Sequence, residues 1–96
     1  MNMKSVFPHI SSSVKADNTV KMIGDVYIGE NVQLQKNVIV DGSKGRIVIG
    51  KNSVLKENVK IIANGERLKI GENVTIESDI VVTQNVSDNE IVSMST

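Results

Sequence analysis

Apolar residues recur along this chain at a spacing of six. Val14, Val20, Val26, Val32 and Val38 follow one another without a gap, and two residues after each stands a second apolar residue: Ala16, Met22, Ile28, Leu34 and Val40. A period of six is neither the 3.6 of a helix nor the plain alternation of a strand. The beat slips by three at Ile47, resumes at Ser53 and Val59, slips by three again at Leu68, and resumes at Val74, Ile80 and Val86. The last position of each hexad is turn chemistry: Thr19, Asp25, Asn31, Asn37, Ser43, Asn52, Asn58, Asn64, Asn73, Asp79, Asn85. Asn and Asp tolerate the left-handed region and bond their own backbone, which suits a corner repeated every six residues. A chain that turns the same way after every short strand is a coil, with three sides of six residues each.

A longer period supports this. Ile28-Gly29-Glu30-Asn31, Ile49-Gly50-Lys51-Asn52 and Ile70-Gly71-Glu72-Asn73 recur every twenty-one residues, eighteen plus a three-residue insertion. Both insertions, Lys44-Gly45-Arg46 and Gly65-Glu66-Arg67, therefore leave at the same corner of successive coils. Each hexad sends a large residue inward at a corner: Ile28, Leu34, Val40, Ile49, Leu55, Ile61, Ile70, Ile76, Val82. Parallel coils stack about 4.8 Å apart, so four make a prism roughly 20 Å tall. The predicted fold class is all-β, a parallel β-helix in the form of a triangular prism of about four hexapeptide-repeat coils. Residues 1–13 are expected as a lead-in and cap, with Val6-Phe7-Pro8 over the open end. The repeat is expected over 14–86. Asp88 falls where a large apolar residue belongs, so 87–96 is expected to leave the prism as a tail.

Composition agrees with a narrow interior. Fifteen Val and twelve Ile stand against a single Phe and a single Tyr, and β-branched side chains suit short walls facing one another closely. The ninety-six residues make one small domain. Eleven basic residues balance eleven acidic ones, so no charge excess steers the chain to nucleic acid or an anionic membrane. With no cysteine there is no disulfide framework, thiolate metal site or thiol nucleophile. No apolar run approaches the ~20 residues of a membrane span and no signal-peptide core is present, so a cytoplasmic location is expected.

The hexapeptide beat resembles that of the transferase hexapeptide superfamily, and the resemblance implies a left-handed winding. Within it the chain is most similar to the γ-class carbonic anhydrases. Pro8-His9-Ile10 runs to Ile23-Gly24-Asp25-Val26 as the Pro-x-Ile opening of that family runs to Ile-Gly-Asp-Val. Asp41-Gly42-Ser43-Lys44-Gly45-Arg46-Ile47-Val48-Ile49-Gly50 and Ala63-Asn64-Gly65-Glu66-Arg67-Leu68-Lys69-Ile70-Gly71 match its two insertions. The end, Ile80-Val81-Val82-Thr83-Gln84-Asn85-Val86 through Ile91-Val92, is similar to the closing segment of hexapeptide acyltransferases. The resemblance implies three zinc-binding His drawn from two subunits, but those positions are Ile62, Ser78 and Thr83 here. The family's Arg and Gln are Asp41 and Lys56. No metal, no cofactor and no catalytic residue are therefore expected.

Other candidates read as structural. His9 could be an acceptor-activating base, and reads better as a surface residue of the lead-in. Tyr27 points outward as a surface or interface residue. Lys44, Arg46 and Arg67 gather at one corner with Glu66 as solvated loop charge. On one wall Ile23, Ile39, Ile62 and Val81 face out, more aliphatic surface than a small soluble monomer leaves on a flat wall. They are the predicted oligomer interface, and the resemblance implies a homotrimer. The expected function is a non-catalytic binding or scaffolding module, the alternative a small acyl- or acetyltransferase using acyl-CoA between subunits. End-to-end stacking is a third possibility, against which the lead-in and tail would act as caps.

Overall fold

The computed structural model describes residues 8–94. Among them there is no helix, and none long and apolar enough to cross a membrane. Short strands follow in the order β1 (His9–Ile10), β2 (Lys15–Ala16), β3 (Lys21–Ile28), β4 (Gln33–Leu34), β5 (Ile39–Ile49), β6 (Val54–Leu55), β7 (Lys60–Ile62), β8 (Leu68–Ile70), β9 (Thr75–Ile76), β10 (Val81–Val82) and β11 (Ile91–Val92). Every pairing between them is parallel. The chain is a parallel β-solenoid of about four coils.

Three walls emerge. Wall I stacks β2, β4, β6, β9 and β11. Strands β3 and β5 bend through a corner and serve two walls each. Wall II holds Lys21–Gly24 of β3, Ile39–Gly42 of β5, β7 and β10. Wall III holds β1, then Val26–Ile28 and Ile47–Ile49, then β8 and a single bridge from Val86 to Ile70. The register shift between Gly24 and Val26 is the first insertion. The second lies directly beneath it, where Gly65 N–H donates to Lys44 C=O at 3.0 Å.

The corners explain why the coil closes. Asn31, Asn37, Asn52, Asn58, Asn73, Asp79 and Asn89 all have φ between 57° and 68°, in a region most side chains avoid. They fill two of the three corners and bond along the axis: Asn37 Nδ2 donates to Asn58 Oδ1 (3.2 Å) and Asn58 Nδ2 to Asp79 Oδ1 (2.9 Å). The third corner, with the insertions, turns instead at Gly24 (φ 77°) and Gly65 (φ 91°). A Cβ on Gly24 would sit 2.7 Å from the Gly42 carbonyl carbon, so both the angle and the close coil contact require glycine there.

All nine large inward residues expected from the hexads are buried, from Ile28 to Val82. Among the described residues the buried side chains are aliphatic except for Ser53. Its hydroxyl donates to Gly71 C=O (2.9 Å) and accepts from Val74 N–H (3.1 Å), so the polar group is satisfied.

Both ends differ from expectation. His9–Ile10 pairs with Tyr27–Ile28, and Ile91–Val92 with Thr75–Ile76, so stacked strands run from residue 9 to 92, past both of the bounds 14 and 86. The tail does not leave at Val86, because the final coil is two residues shorter than the hexad beat. Val86 pairs with Ile70 instead of Leu68, which moves Asp88 off the inward position and onto the corner. There it covers Gly71, where a Cβ would meet Asp88 N at 2.6 Å, and its Oδ1 accepts the Glu72 N–H at 2.8 Å. The capping role given to Val6-Phe7-Pro8 falls mostly on residues outside those described.

Ile28 is 4% exposed, and Ile28→Asp places an unpaired carboxylate in the interior. It should cost about 4 kcal/mol, read as loss of the thermal transition by far-UV circular dichroism. Asn58→Val puts a β-branched side chain at φ 66° and breaks two ladder bonds. A loss of about 2 kcal/mol is expected by thermal denaturation, with Asn58→Gly losing less.

Candidate functional site

The outer face of wall II carries the residues predicted for an interface, and the strand register fixes their arrangement. Lys21, Ile39, Lys60 and Val81 form one row across four coils. Ile23, Asp41 and Ile62 form the next, which Thr83 continues. Because the aliphatic residues alternate between rows, Ile23, Ile39, Ile62 and Val81 make one zigzag stripe along the solenoid. Diagonal neighbours on a sheet lie about 7–8 Å apart, within side-chain reach. Ile23 is 46% and Val81 56% exposed, and Ile39 and Ile62 are half-buried by their neighbours.

Beside the stripe runs a shallow cleft of about 500 Å³. Its floor is the row of Lys21, Ile39, Lys60 and Val81, and its rim is the corner ladder from Thr19 to Asp79. The rim is internally bonded, beginning with Asn37 N–H to Thr19 Oγ1 at 2.8 Å. It offers lysine charge and aliphatic surface, and no group of nucleophile and base.

Asp41, between the two isoleucines, is held by its own turn. Its Oδ1 accepts from the Ser43 hydroxyl (2.6 Å) and the Ser43 N–H (3.0 Å), and these bonds lower its pKa below the usual aspartate value. Asp17 is held in the same way by the Thr19 hydroxyl and N–H, with the same direction of shift.

The positions that the family resemblance assigns to zinc do not fit a metal. Ile62 and Thr83 follow one another in a row of wall II, and Ser78 is half-buried on the corner between β9 and β10. An aliphatic side chain supplies no lone pair, and zinc takes thiolate, imidazole or carboxylate ligands. Among the described residues no three His, Cys, Asp or Glu gather closely enough for a metal. Lys56, on wall I's corner, pairs with Glu77 one coil on at 3.0 Å, a surface ion pair of about 0–1 kcal/mol.

A second cluster occupies wall III. The His9 and Tyr27 rings stack with centroids 4.6 Å apart and planes 9° from parallel. Arg46, from the following coil, places its guanidinium 4.6 Å from the Tyr27 centroid and donates from Nε to Asp25 Oδ2 at 2.9 Å. The bond to Asp25 raises the Arg46 pKa further. His9 is thus a strand residue with a stacking partner, where a loose lead-in was expected. Arg46 is engaged by Asp25 and Tyr27. The sequence carries one signal for Asp25: it precedes Arg46 by twenty-one residues, the length of that coil. A hollow of about 630 Å³ lies against this cluster, lined by His9, Tyr27, Val48 and Lys51 among others.

No known family model matches the chain, and no curated protein matches it. Solved structures similar to it include serine acetyltransferase isoform 3 from Entamoeba histolytica in complex with cysteine, at 17% identity and a TM-score of 0.31. That match covers 88% of this chain and 36% of the other. Another is a mutant of perosamine N-acetyltransferase from Caulobacter crescentus in complex with CoA and GDP-perosamine, at 18% identity and a TM-score of 0.30. It covers 91% of this chain and 53% of that one. The chain therefore spans little more than a third of the first protein and about half of the second, and likeness at this level assigns no activity.

Asp17 and Asp41 should titrate below 3.8 in a carbon-13 carboxyl NMR titration. A depressed folded-state pKa makes their stabilising contribution present at neutral pH and lost as pH falls through the folded values. Ser43→Ala should return Asp41 towards the ordinary range.

Proposed function

We propose that this chain is a hexapeptide-repeat module of the γ-carbonic anhydrase-like kind, wound left-handed and without zinc, which assembles as a homotrimer and binds or scaffolds instead of catalysing. The observation that carries this reading is the aliphatic zigzag Ile23, Ile39, Ile62 and Val81 on wall II. A flat β-wall cannot fold over its own outer face, so water is excluded from that stripe only by another surface. The stripe is self-complementary in kind, and the flanking Lys21, Lys60 and Asp41 give it a polar rim. Ile62 stands where the resembled family has a ligand between subunits, and an apolar residue there suits a contact retained for assembly. The stacked insertions after Ser43 and Asn64 support the same family reading. A balanced charge and the absence of a spanning helix among the described residues are compatible with a cytoplasmic module.

A second reading rests on the hollow beside His9. Its volume of about 630 Å³ lies within the few hundred to 1,000 Å³ typical of small-molecule sites. An acyl-CoA-dependent transferase would place its acceptor there, with His9 as base. Acetyl-CoA raising the melting temperature would favour that reading, and an unchanged melting curve would count against it.

Sedimentation equilibrium tests the assembly. The expected mass is three times that of the 10.4 kDa chain, and a monomer at micromolar concentration would overturn the proposal. Ile62→Lys, which places a charge in the centre of the stripe, should weaken association at least tenfold, about 1.4 kcal/mol, with an unchanged β signal.

A further inference from the structure

At both ends of the described solenoid the backbone hydrogen-bond series stop with a next member in place. Each strand donates backbone N–H groups to the coil that follows, in fixed series. On wall I, Lys15 donates to Val32, Gln33 to Ser53, Val54 to Val74 and Thr75 to Glu90, at 2.8–3.0 Å. A second series there runs from Asp17 to Leu34, Gln35 to Leu55, Lys56 to Ile76 and Glu77 to Val92. On wall II, Lys21 donates to Val38, Ile39 to Val59 and Lys60 to Ile80. The next donors in these series are Ile91, Ser93 and Val81, and no coil among the described residues follows them. The acceptors that would precede Val32, Leu34 and Val38 in the same series are the carbonyls of Val14, Ala16 and Val20, at the opposite end.

Inward side chains are left uncovered at both ends. At the N-terminal end Ile10 belongs to the inward column of Ile28, Ile49 and Ile70, yet it is 44% exposed because no described coil covers it. Met22 heads the inward column of Val40 and is half-buried. At the C-terminal end the inward residues Ile80, Val82, Val86 and Val92 line a hollow of about 290 Å³. Ile91, on the same strand as Val92, is 70% exposed. Charge decides which ends can meet. Residues 77–92 carry Glu77, Asp79, Asp88 and Glu90 and no lysine or arginine, so two C-terminal ends repel. The N-terminal coil presents Lys15 and Lys21 beside Asp17.

We propose that copies of this chain stack head to tail, the N-terminal end of one on the C-terminal end of the next. Ile91, Ser93 and Val81 N–H groups would donate to the Val14, Ala16 and Val20 carbonyls of the next copy, and Ile10 and Met22 enter the hollow. This contact is heterologous, so it repeats without closing and yields a rod of varying length. On wall III the forward donor is engaged: Ser87 N–H is already taken by Glu90 Oε1 at 2.9 Å. The end contact uses the terminal backbone of wall II at Val81 and leaves that wall's outer face free.

The test is run in the Ile62→Lys background, which removes the wall II contact from the readout. Sedimentation velocity of that protein should show a mass that grows with concentration without settling at a fixed multiple. Ile10→Asp should block the N-terminal end, and Ile91→Pro with Ser93→Pro the C-terminal end by removing two donors. Each blocked protein alone should stop growing, and a mixture of the two should form pairs and nothing longer, since one open end of each kind remains. Circular dichroism confirms that each variant keeps its fold. Should the double proline variant unfold, Ile91→Asp takes its place. A single mass at every concentration, or end variants that grow like their parent, would overturn the proposal. Growth seen only after deletion of residues 1–7 would also overturn it, and would assign the N-terminal end to the chain's own leading segment.

Discussion

The structure depends on a corner. A parallel ladder in which every strand bonds the one a coil later requires the chain to turn through the same angle at the same place each time. Seven Asn and Asp residues at φ 57–68° supply that turn at two corners. Their amides then bond one another along the axis, as from Asn37 to Asp79, so the residue that accepts the unfavourable backbone angle also ties successive coils together. Once the corners are fixed, the walls hold only a few residues each. The interior is then too narrow for aromatics and fills with Val, Ile and Leu in columns such as Ile28–Ile49–Ile70.

That constraint also makes outward-facing residues legible from the sequence. A side chain's wall, row and coil follow from its place in the hexad, so the two rows of wall II and all nine large inward residues emerge as the spacing predicts. Legibility fails where the corner is not made by Asn. Asp25, Ser43, Asn64 and Asn85 occupy the same hexad position as six of the seven, but their corner turns at Gly24 and Gly65 and tolerates insertions. Loss of two residues after Val82 goes unmarked there, because a loop with no fixed angle accepts a shorter path as readily as a longer one. The misplaced Asp88, and with it the supposed end of the repeat, follow from that one loop. The Asp25–Arg46 bond crosses from one coil to the next at the insertion corner, where hexad position does not say which side chains meet and the spacing of twenty-one residues is the one signal.

The candidate site was legible as a surface and not as chemistry. Catalysis needs groups that converge on one point, whereas a flat wall sends its side chains out in parallel. Convergence in such a fold comes from the loops of the insertion corner or from a second copy of the chain. The insertion corner holds Lys44, Glu66 and Arg67 with Arg46 engaged by Asp25 and Tyr27, and brings no nucleophile and base together. What the molecule presents in quantity is repetitive aliphatic surface, on wall II and at its ends.

A solenoid meets a difficulty that closed folds avoid, because its hydrogen-bond ladder has no internal reason to stop. One wall of this chain shows how a stop is made. The Glu90 carboxylate turns back to accept the Ser87 N–H, and the Asp88 carboxylate accepts the Glu72 N–H while covering Gly71. The Glu90 carboxylate thus occupies the position that another coil's carbonyl would otherwise fill, while the Asp88 bond ties the last coil to the one before it. Both act around wall III and the corner that leads from it. Among the described residues walls I and II have no such device at Ile91, Ser93 and Val81, although the same chemistry would serve them. Among the described residues the C-terminal end is therefore closed on one side and continuous in geometry with a further coil on the other two.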